Sequence, residues 1–185
     1  MRDLSRTSAG AQLTMYRARA CVVWLLLFSF ASLGRYSMAA VEEGSGKHAW
    51  STYTNVRFRF SICYPQDLFV PEGESANSDG QRFKGPDGSI LVVYGSNNVM
   101  GDSLEDHLKQ VAARLAGEEG KVTYTVKRKT WYVASGRNGE TVFYVKTIYA
   151  AGQFKSFELT YKNSQTGIFS HVLAKMSPCF VSTAP

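Results

Sequence analysis

The stretch that decides the fold is KVTYTVKRKTWYVASGRNGETVFYVKTIYAAGQFKSFELTYK, residues 121–162. It is rich in valine, threonine, tyrosine and phenylalanine, the residue types that favour β-strands. Glycine-containing turns interrupt it at residues 136–139 and 151–153, which is typical of strands joined by tight connections. The stretch therefore predicts four consecutive antiparallel strands, at residues 121–129, 130–136, 140–150 and 154–162.

Strand patterns also precede this stretch. In NVRFRFSICY, residues 55–64, apolar and polar side chains alternate, which predicts one strand whose apolar face holds Val56, Phe58, Phe60, Ile62 and Tyr64. Residues 69–80, FVPEGESANSDG, are rich in turn-forming residues and predict a loop. A hairpin should follow, with strands at 81–84 and 89–94 and its turn at 85–88.

Two helical patterns complete the domain. Ser103 with Asp106 resembles an N-terminal cap, and the helix after it should end at Gly117. Its apolar residues recur at helical spacing: Leu104, Leu108, Val111, Ala112 and Leu115. A second helix is predicted from Gln165 to Met176, ended by Pro178, with His171 opposite an apolar stripe of Ile168, Phe169, Val172, Leu173 and Met176. Together these elements predict a single α+β domain over residues 53–181, a largely antiparallel sheet of about six or seven strands covered by helices.

Residues 1–39 predict a secretory signal peptide. The apolar run CVVWLLLFSFASL, residues 21–33, follows Arg17 and Arg19, and Ser37 and Ala39 are small residues suited to a cut after Ala39. A helix of about 13 residues is shorter than the hydrocarbon core of a bilayer, so no permanent membrane span is expected. The alternative is an uncleaved anchor, which would make the chain a membrane-anchored subunit.

The N-terminal sequence also predicts where translation starts and where the linker to the domain lies. Residues 1–14 add nothing to the layout of the signal, whereas Met15 begins a short basic leader, so we expect translation to start there. The segment 40–52 is short and polar and contains glycine, which predicts a linker between the cut and the domain.

The charge of the chain argues against nucleic-acid binding. The formal net charge is +6, but the residues up to Ala39 contribute +4 of it, through five arginines and one aspartate. The nearly neutral remainder lacks the basic footprint that dominates affinity for phosphate backbones.

The exported part would retain two cysteines, because Cys21 leaves with the signal. An even number of cysteines in a compartment that permits disulfides predicts a bridge between Cys63 and Cys179. The alternative, two separate thiols, stays open at the level of the sequence because it does not give the distance between the two Cα atoms.

The usual marks of cofactor binding and catalysis are missing, so no cofactor or metal is expected. Neither GxGxxG nor GxxxxGK[ST] occurs, and there is no GxSxG elbow. The histidines His48, His107 and His171 are too scattered to predict a zinc site. Residues 77–80 resemble the start of a calcium loop, but Gly88 stands where the loop needs its twelfth, acidic residue.

Aromatic and basic residues on predicted strands suggest a binding surface instead. The candidates are Trp131, Tyr132, Lys127, Arg128 and Lys129, with Tyr94, Asn97 and Asn98 and the long loop at 70–80 as a second region. Such a surface suits another envelope protein or a cell-wall carbohydrate. The competing interpretation is that the aromatics fill the core and the basic run is a solvated strand end.

The pattern resembles a known group of proteins. NVRFRFSICYPQDLF, DGQRF, DGSILVVYGSNN and YVASGRNGETVFYVK look like small exported bacterial proteins of uncharacterised function with a Mog1/PsbP-like sandwich, and the resemblance covers Tyr53 to Phe180. It implies the fold, and since proteins of this architecture do unrelated jobs, it carries over no functional residue.

The sequence as a whole favours an exported, non-catalytic binding or accessory protein of the bacterial cell envelope. The alternative is a periplasmic hydrolase in which His107 or His171 meets a serine and a carboxylate brought together by the fold. A concave pocket holding such a group would indicate an enzyme, whereas a patch without it would indicate a binding module.

Overall fold

The structure, a computed structural model, describes residues 48–183. Within these residues there are ten strands, β1 (Trp50–Asn55), β2 (Phe60–Pro65), β3 (Val70–Glu74), β4 (Gly80–Lys84), β5 (Ile90–Asn97), β6 (Lys121–Lys127), β7 (Trp131–Asn138), β8 (Thr141–Ala150), β9 (Gln153–Lys162) and β10 (Val181–Ser182). The helices are α1 (Leu104–Ala116) and α2 (Thr166–Cys179), with short 3₁₀ turns at Pro86–Gly88 and Asn163–Gln165. The predicted signal peptide at 1–39, the expected start at Met15 and the linker residues 40–47 lie outside the described residues.

Seven strands form one antiparallel sheet in the order β3-β4-β5-β9-β8-β7-β6. Strands β1, β2 and β10 form a second, smaller sheet. The predicted α+β class, the four consecutive antiparallel strands and the 81–94 hairpin are confirmed. Within residues 48–183, neither helix combines the length and the apolar character that crossing a bilayer requires.

The large sheet has an apolar core on each face. On one face, Leu91, Val93, Phe157 and Leu159 pack with Phe169, Val172 and Met176 of α2 and with Phe60 and Ile62 of the small sheet. On the other face, Leu108, Val111 and Ala112 of α1 pack on Tyr132, Ala134 and Val145. The sheet is therefore the middle layer of a sandwich.

The single strand predicted over residues 55–64 is confirmed for residues 60–64 and is wrong for residues 56–59. Residues 56–59 form a turn between β1 and β2, and Val56, placed on the apolar face by its alternation, is 84% exposed. Phe58 is nevertheless buried, because its ring lies directly against Gly95. A Cβ added at Gly95 would lie 2.2 Å from Phe58 Cγ, so a residue with a side chain would not leave room for the ring. Alternation alone does not distinguish a long strand from a hairpin whose turn residues are themselves apolar.

Other boundaries also differ from prediction. Strand β1 begins at Trp50, so residues 50–52 of the predicted linker belong to a strand, and the predicted loop at 69–80 contains β3. Helix α2 continues through Pro178 to Cys179, whereas Ile168, predicted on its apolar stripe, is 47% exposed. Pro178 has no backbone N–H to donate to the carbonyl of Ala174, and the helix ends one residue later.

Helix α1 begins where the sequence predicts it. The Ser103 hydroxyl accepts a hydrogen bond from the Asp106 backbone N–H, and the backbone N–H of Gly117 bonds to the carbonyl of Ala113. An N-cap of this kind stabilises a helix by about 1 kcal/mol.

A disulfide joins Cys63 on β2 to Cys179 at the end of α2, with their Cα atoms 5.8 Å apart. The predicted bridge is therefore present. It closes a loop with a sequence separation of 116 residues that includes all of the large sheet, and a long closed loop restricts the unfolded chain strongly.

Replacing both cysteines with alanine should lower the free energy of unfolding by up to about 4–5 kcal/mol, the chain-entropy value for a loop of this length. Guanidinium denaturation of the oxidised protein and of the double variant measures the difference. Reductant should shift the midpoint of the wild type and leave that of the double variant in place. Identical midpoints for the oxidised and reduced wild type would contradict the expectation.

Candidate functional site

An open groove lies between strands β6–β8 and the second half of α2, with a volume of about 370 Å³. We call it the Trp131 groove, and its lining residues are Tyr124, Val126, Trp131, Val133, Tyr144, Lys146, Leu173, Ala174 and Ser177. Most of the lining is aliphatic or aromatic, and Lys146 is the one lysine, arginine, aspartate or glutamate among these lining residues.

Strand register explains why these side chains share a face. Val126 lies opposite Val133, and Val133 lies opposite Lys146, so the three form a row across β6, β7 and β8. Side chains directly opposite each other in neighbouring strands point to the same side of a sheet. Tyr124 lies two residues before Val126, and Tyr144 lies two residues before Lys146. Because alternate side chains of a strand point to the same side, both tyrosines project to the same side as this row.

Lys146 and Trp131 are the polar and aromatic centres of the groove. The Lys146 ammonium donates a hydrogen bond to the backbone carbonyl of Ser177 and lies 5.7 Å from the centre of the Trp131 ring. The Tyr144 hydroxyl donates to Ser177 Oγ at 3.0 Å. Burial lowers the pKa of Lys146, because a partly desolvated ammonium is less stable than a solvated one.

Of the predicted basic residues, Arg128 lies beside the groove, whereas Lys127 projects to the α1 side of the sheet. Lys127, Arg128 and Lys129 are exposed, and the Arg128 guanidinium lies 5.9 Å from the centre of the Trp131 ring. On the α1 side, the same three residues line a second hollow of about 530 Å³ with Ser103, Leu104 and Glu105. The Lys127 ammonium is 2.5 Å from a Glu105 carboxylate oxygen there. Arg128 therefore lies at the rim of the groove beside Trp131, and Lys127 is paired with Glu105 on the other side of the sheet.

Two predicted surface residues lie elsewhere. Tyr132 is fully buried under α1, so it is not part of a binding surface. The Tyr94 hydroxyl donates a hydrogen bond to Glu158 at 2.6 Å, on the α1 side of the sheet. Burial raises the pKa of both tyrosines, which keeps their hydroxyls protonated at neutral pH.

The second predicted region does not join the groove. Asn97 accepts a hydrogen bond from the Gln153 side chain at 3.1 Å, and Asn98 bonds to both backbone groups of Asp102. These contacts hold the segment between β5 and α1. Residues 70–80 lie with β3 at the opposite end of the strand order from β6.

The sequence did not reveal a polar network beneath α1. Tyr94, Ser156, Thr147 and Tyr132 lie opposite one another in a single row across β5, β9, β8 and β7. The Ser156 and Thr147 hydroxyls are 2.8 Å apart. Each strand contributes one polar residue, so the row exists only once the register is known.

Both ends of this network reach α1. His107 Nδ1 is 2.9 Å from the Tyr132 hydroxyl, and the His107 ring stacks on Phe154 with centres 3.8 Å apart. The Arg114 guanidinium lies 2.5 Å from the buried Glu158 carboxylate. Because unpaired buried polar groups are costly, these bonds fix the position of the helix on the sheet.

The histidines do not assemble the predicted alternative site. His107 faces Tyr132 and Phe154, His171 is exposed on α2, and His48 Nδ1 lies 2.7 Å from an Asp67 carboxylate oxygen. Within residues 48–183, no three His, Cys, Asp or Glu side chains are grouped so that they could hold a metal ion.

Comparison with known proteins identifies the fold. No protein-family model matches the sequence, and no curated protein sequence matches it. The structure is similar to the solution structure of cyanobacterial PsbP (CyanoP) from Synechocystis sp. PCC 6803, with a TM-score of 0.58 and 15% identity. The similarity covers 75% of this chain and 95% of that one. The predicted PsbP-like sandwich is thus confirmed as the fold.

His107 should make the protein sensitive to mild acid. Burial lowers the pKa of His107, although Asp102 and Glu158 oppose the shift and Arg114 adds to it. The stability that its neutral form provides is present above the unfolded-state value of about 6.5 and is lost as the pH falls towards the folded-state pKa. The free energy of unfolding should therefore decrease between pH 7.5 and pH 5.5, and decrease less in His107→Gln.

Urea denaturation across this range measures the slope for the wild type and the variant. His171→Gln is the matched control, since it removes an exposed imidazole from the other helix. A slope that His107→Gln leaves unchanged would show that this histidine is not the acid-sensitive group.

Proposed function

We propose that this chain is an exported, non-catalytic binding or accessory protein of the bacterial cell envelope, and that it binds its partner through the Trp131 groove. The groove carries the proposal because it exposes apolar and aromatic surface around one half-buried ammonium. Contiguous exposed apolar surface rimmed by polar residues marks interaction sites in soluble domains. Tryptophan and arginine, which meet at Trp131 and Arg128, are enriched among residues that dominate binding energy.

The chemistry of the groove favours a protein partner over a carbohydrate. A sugar needs several free hydrogen-bonding groups beside an aromatic ring, whereas in the groove one N–H of the Lys146 ammonium, the Tyr144 hydroxyl hydrogen and one lone pair of the Ser177 hydroxyl are already used within the protein. The remaining lining includes Val126, Val133 and Leu173, which suit an apolar side chain. Arg128 beside Trp131 would attract an acidic residue next to that side chain.

Export is supported by the sequence and by the disulfide. The signal-like pattern at residues 1–39 precedes a domain that carries the Cys63–Cys179 bond. Disulfides of this kind persist in the periplasm and outside the cell, where the environment is oxidising.

Fractionation of cells that express the full chain tests export. We expect the product in the periplasmic or secreted fraction, with a mass that corresponds to residues 40–185 less the two hydrogens of the disulfide. Recovery at full mass from the membrane fraction would instead identify an anchored subunit, and reduced protein in the cytosol would contradict export.

A pull-down from envelope extract with a C-terminal tag tests the groove. Wild-type protein should recover a stoichiometric partner that Trp131→Ala loses by at least tenfold, since aromatic anchors account for much of the energy of an interface. Trp50→Ala is the matched control, because Trp50 is also half-buried and also lies near a lysine, with Lys175 Nζ 4.2 Å from its ring centre, but outside the groove. Thermal unfolding verifies that both variants fold.

Two results would contradict the proposal. In one, both tryptophan variants retain the partner equally, which would place the interface elsewhere. In the other, the wild type recovers no partner whose amount depends on Trp131.

A further inference from the structure

Strand β6 is an open edge of the large sheet. In the described part of the chain it pairs with β7 on one side and with no strand on the other. All of its residues except Val126 are exposed. An edge strand presents a row of backbone N–H and C=O groups with which another extended chain can pair.

The other edge, β3, is protected. It carries Pro71, which has no N–H to donate, and Gly73 with a φ of 96°, and its register shifts between Pro71 and Glu74. Proline and bulges are devices that block pairing at sheet edges. Strand β6 contains neither proline nor glycine. Its register with β7 shifts between Val122 and Tyr124 and is regular from Tyr124 to Lys127, the part of the strand next to the groove.

The composition of β6 also favours pairing. Its central residues read VTYTV, positions 122–126, and all are β-branched or aromatic. The strand has the length and propensity of segments that add readily to other strands.

The Trp131 groove continues this edge. Tyr124 and Val126 belong both to β6 and to the lining of the groove. A strand added beside β6 would lie about 4.8 Å away, with alternate side chains on the same side as these two residues. Those side chains would extend the apolar contact made by the groove.

The charges along β6 indicate the charge of the chain that would pair with it. Lys127, Arg128 and Lys129 stand at one end of β6 and Lys121 at the other, whereas the nearby acids are Glu105, paired with Lys127, and Glu118 and Glu119 before Lys121. A second copy paired antiparallel about Tyr124 would place Lys121 opposite Lys127 of the other copy, and like charges in opposite positions are destabilising. Charge complementarity favours an acidic chain.

We propose that β6 accepts an extended acidic segment of the partner protein by strand addition, with alternate apolar side chains of that segment entering the Trp131 groove. This inference rests on the proposed function and specifies the partner chemistry. Backbone pairing would supply affinity, and the groove would select the side chains.

A peptide probe of ten residues, alternating glutamate and leucine, tests the proposal. Nuclear magnetic resonance of the ¹⁵N-labelled protein should show amide exchange in β6 slowed at least fivefold at saturating peptide, whereas the amides of β3 remain unchanged. A lysine–leucine peptide of the same length is the matched probe of opposite charge and should bind at least tenfold more weakly.

N-methylation of the peptide separates strand addition from simple occupation of the groove. In an added antiparallel strand, alternate residues direct their N–H groups towards β6. Methylation of one alternating set should therefore weaken binding at least tenfold, and methylation of the other set should weaken it little. Replacing Arg128 and Lys129 with glutamine should reduce both the affinity and its dependence on salt.

Three results would overturn the inference. Equal affinity of both methylated peptides would mean that the groove binds the peptide without strand pairing. A bound peptide that does not slow amide exchange in β6 would lead to the same conclusion. A dimer that protects the β6 amides in the absence of peptide would assign the edge to a second copy. The loss of the natural partner in Trp131→Ala is measured separately, so the proposed function can survive each of these results.

Discussion

Side-chain alternation along the β8–β9 hairpin is the constraint on which the rest of the structure depends. Lys146 pairs with Phe157 on the face that packs against α2, whereas Thr147 pairs with Ser156 on the face that packs against α1. Shifting one strand by a single residue would exchange these faces. The register of this central pair therefore sets both the Trp131 groove and the polar network.

The two faces of the sheet have different roles. Beneath α1, the row from Tyr94 to Tyr132 pairs polar groups that would be costly if left unsatisfied, and Glu158 and His107 tie the helix to it. On the other face, α2 leaves part of β6–β8 uncovered, and that uncovered part is the groove. The disulfide holds the end of α2 next to the small sheet. The sheet is thus covered by α1 over the polar network and left partly uncovered by α2 at the Trp131 groove.

Local sequence signals predicted the elements whose signals lie within a few residues. The Ser103 cap, the turn at Pro86–Gly88 and the strands from Lys121 to Lys162 follow from such signals. The turn at residues 56–59 was missed because its residues continue the alternation, and Phe58 is buried only through its contact with Gly95. The pattern also included Tyr132 in the predicted binding surface, because alternation does not show which face of β7 is covered by a helix, and Tyr132 is buried.

The sequence by itself determined the residue types, the helical and strand periods, the even pair of cysteines and the signal-like first 39 residues. These are local properties, fixed by side-chain chemistry and spacing along the chain. Only the tertiary structure decided that Lys146 and Trp131 share a groove with Leu173 of α2, that four hydroxyl residues form one row, and that β6 is an open edge. Each of these depends on strand order and register, which arise from contacts between residues far apart in sequence.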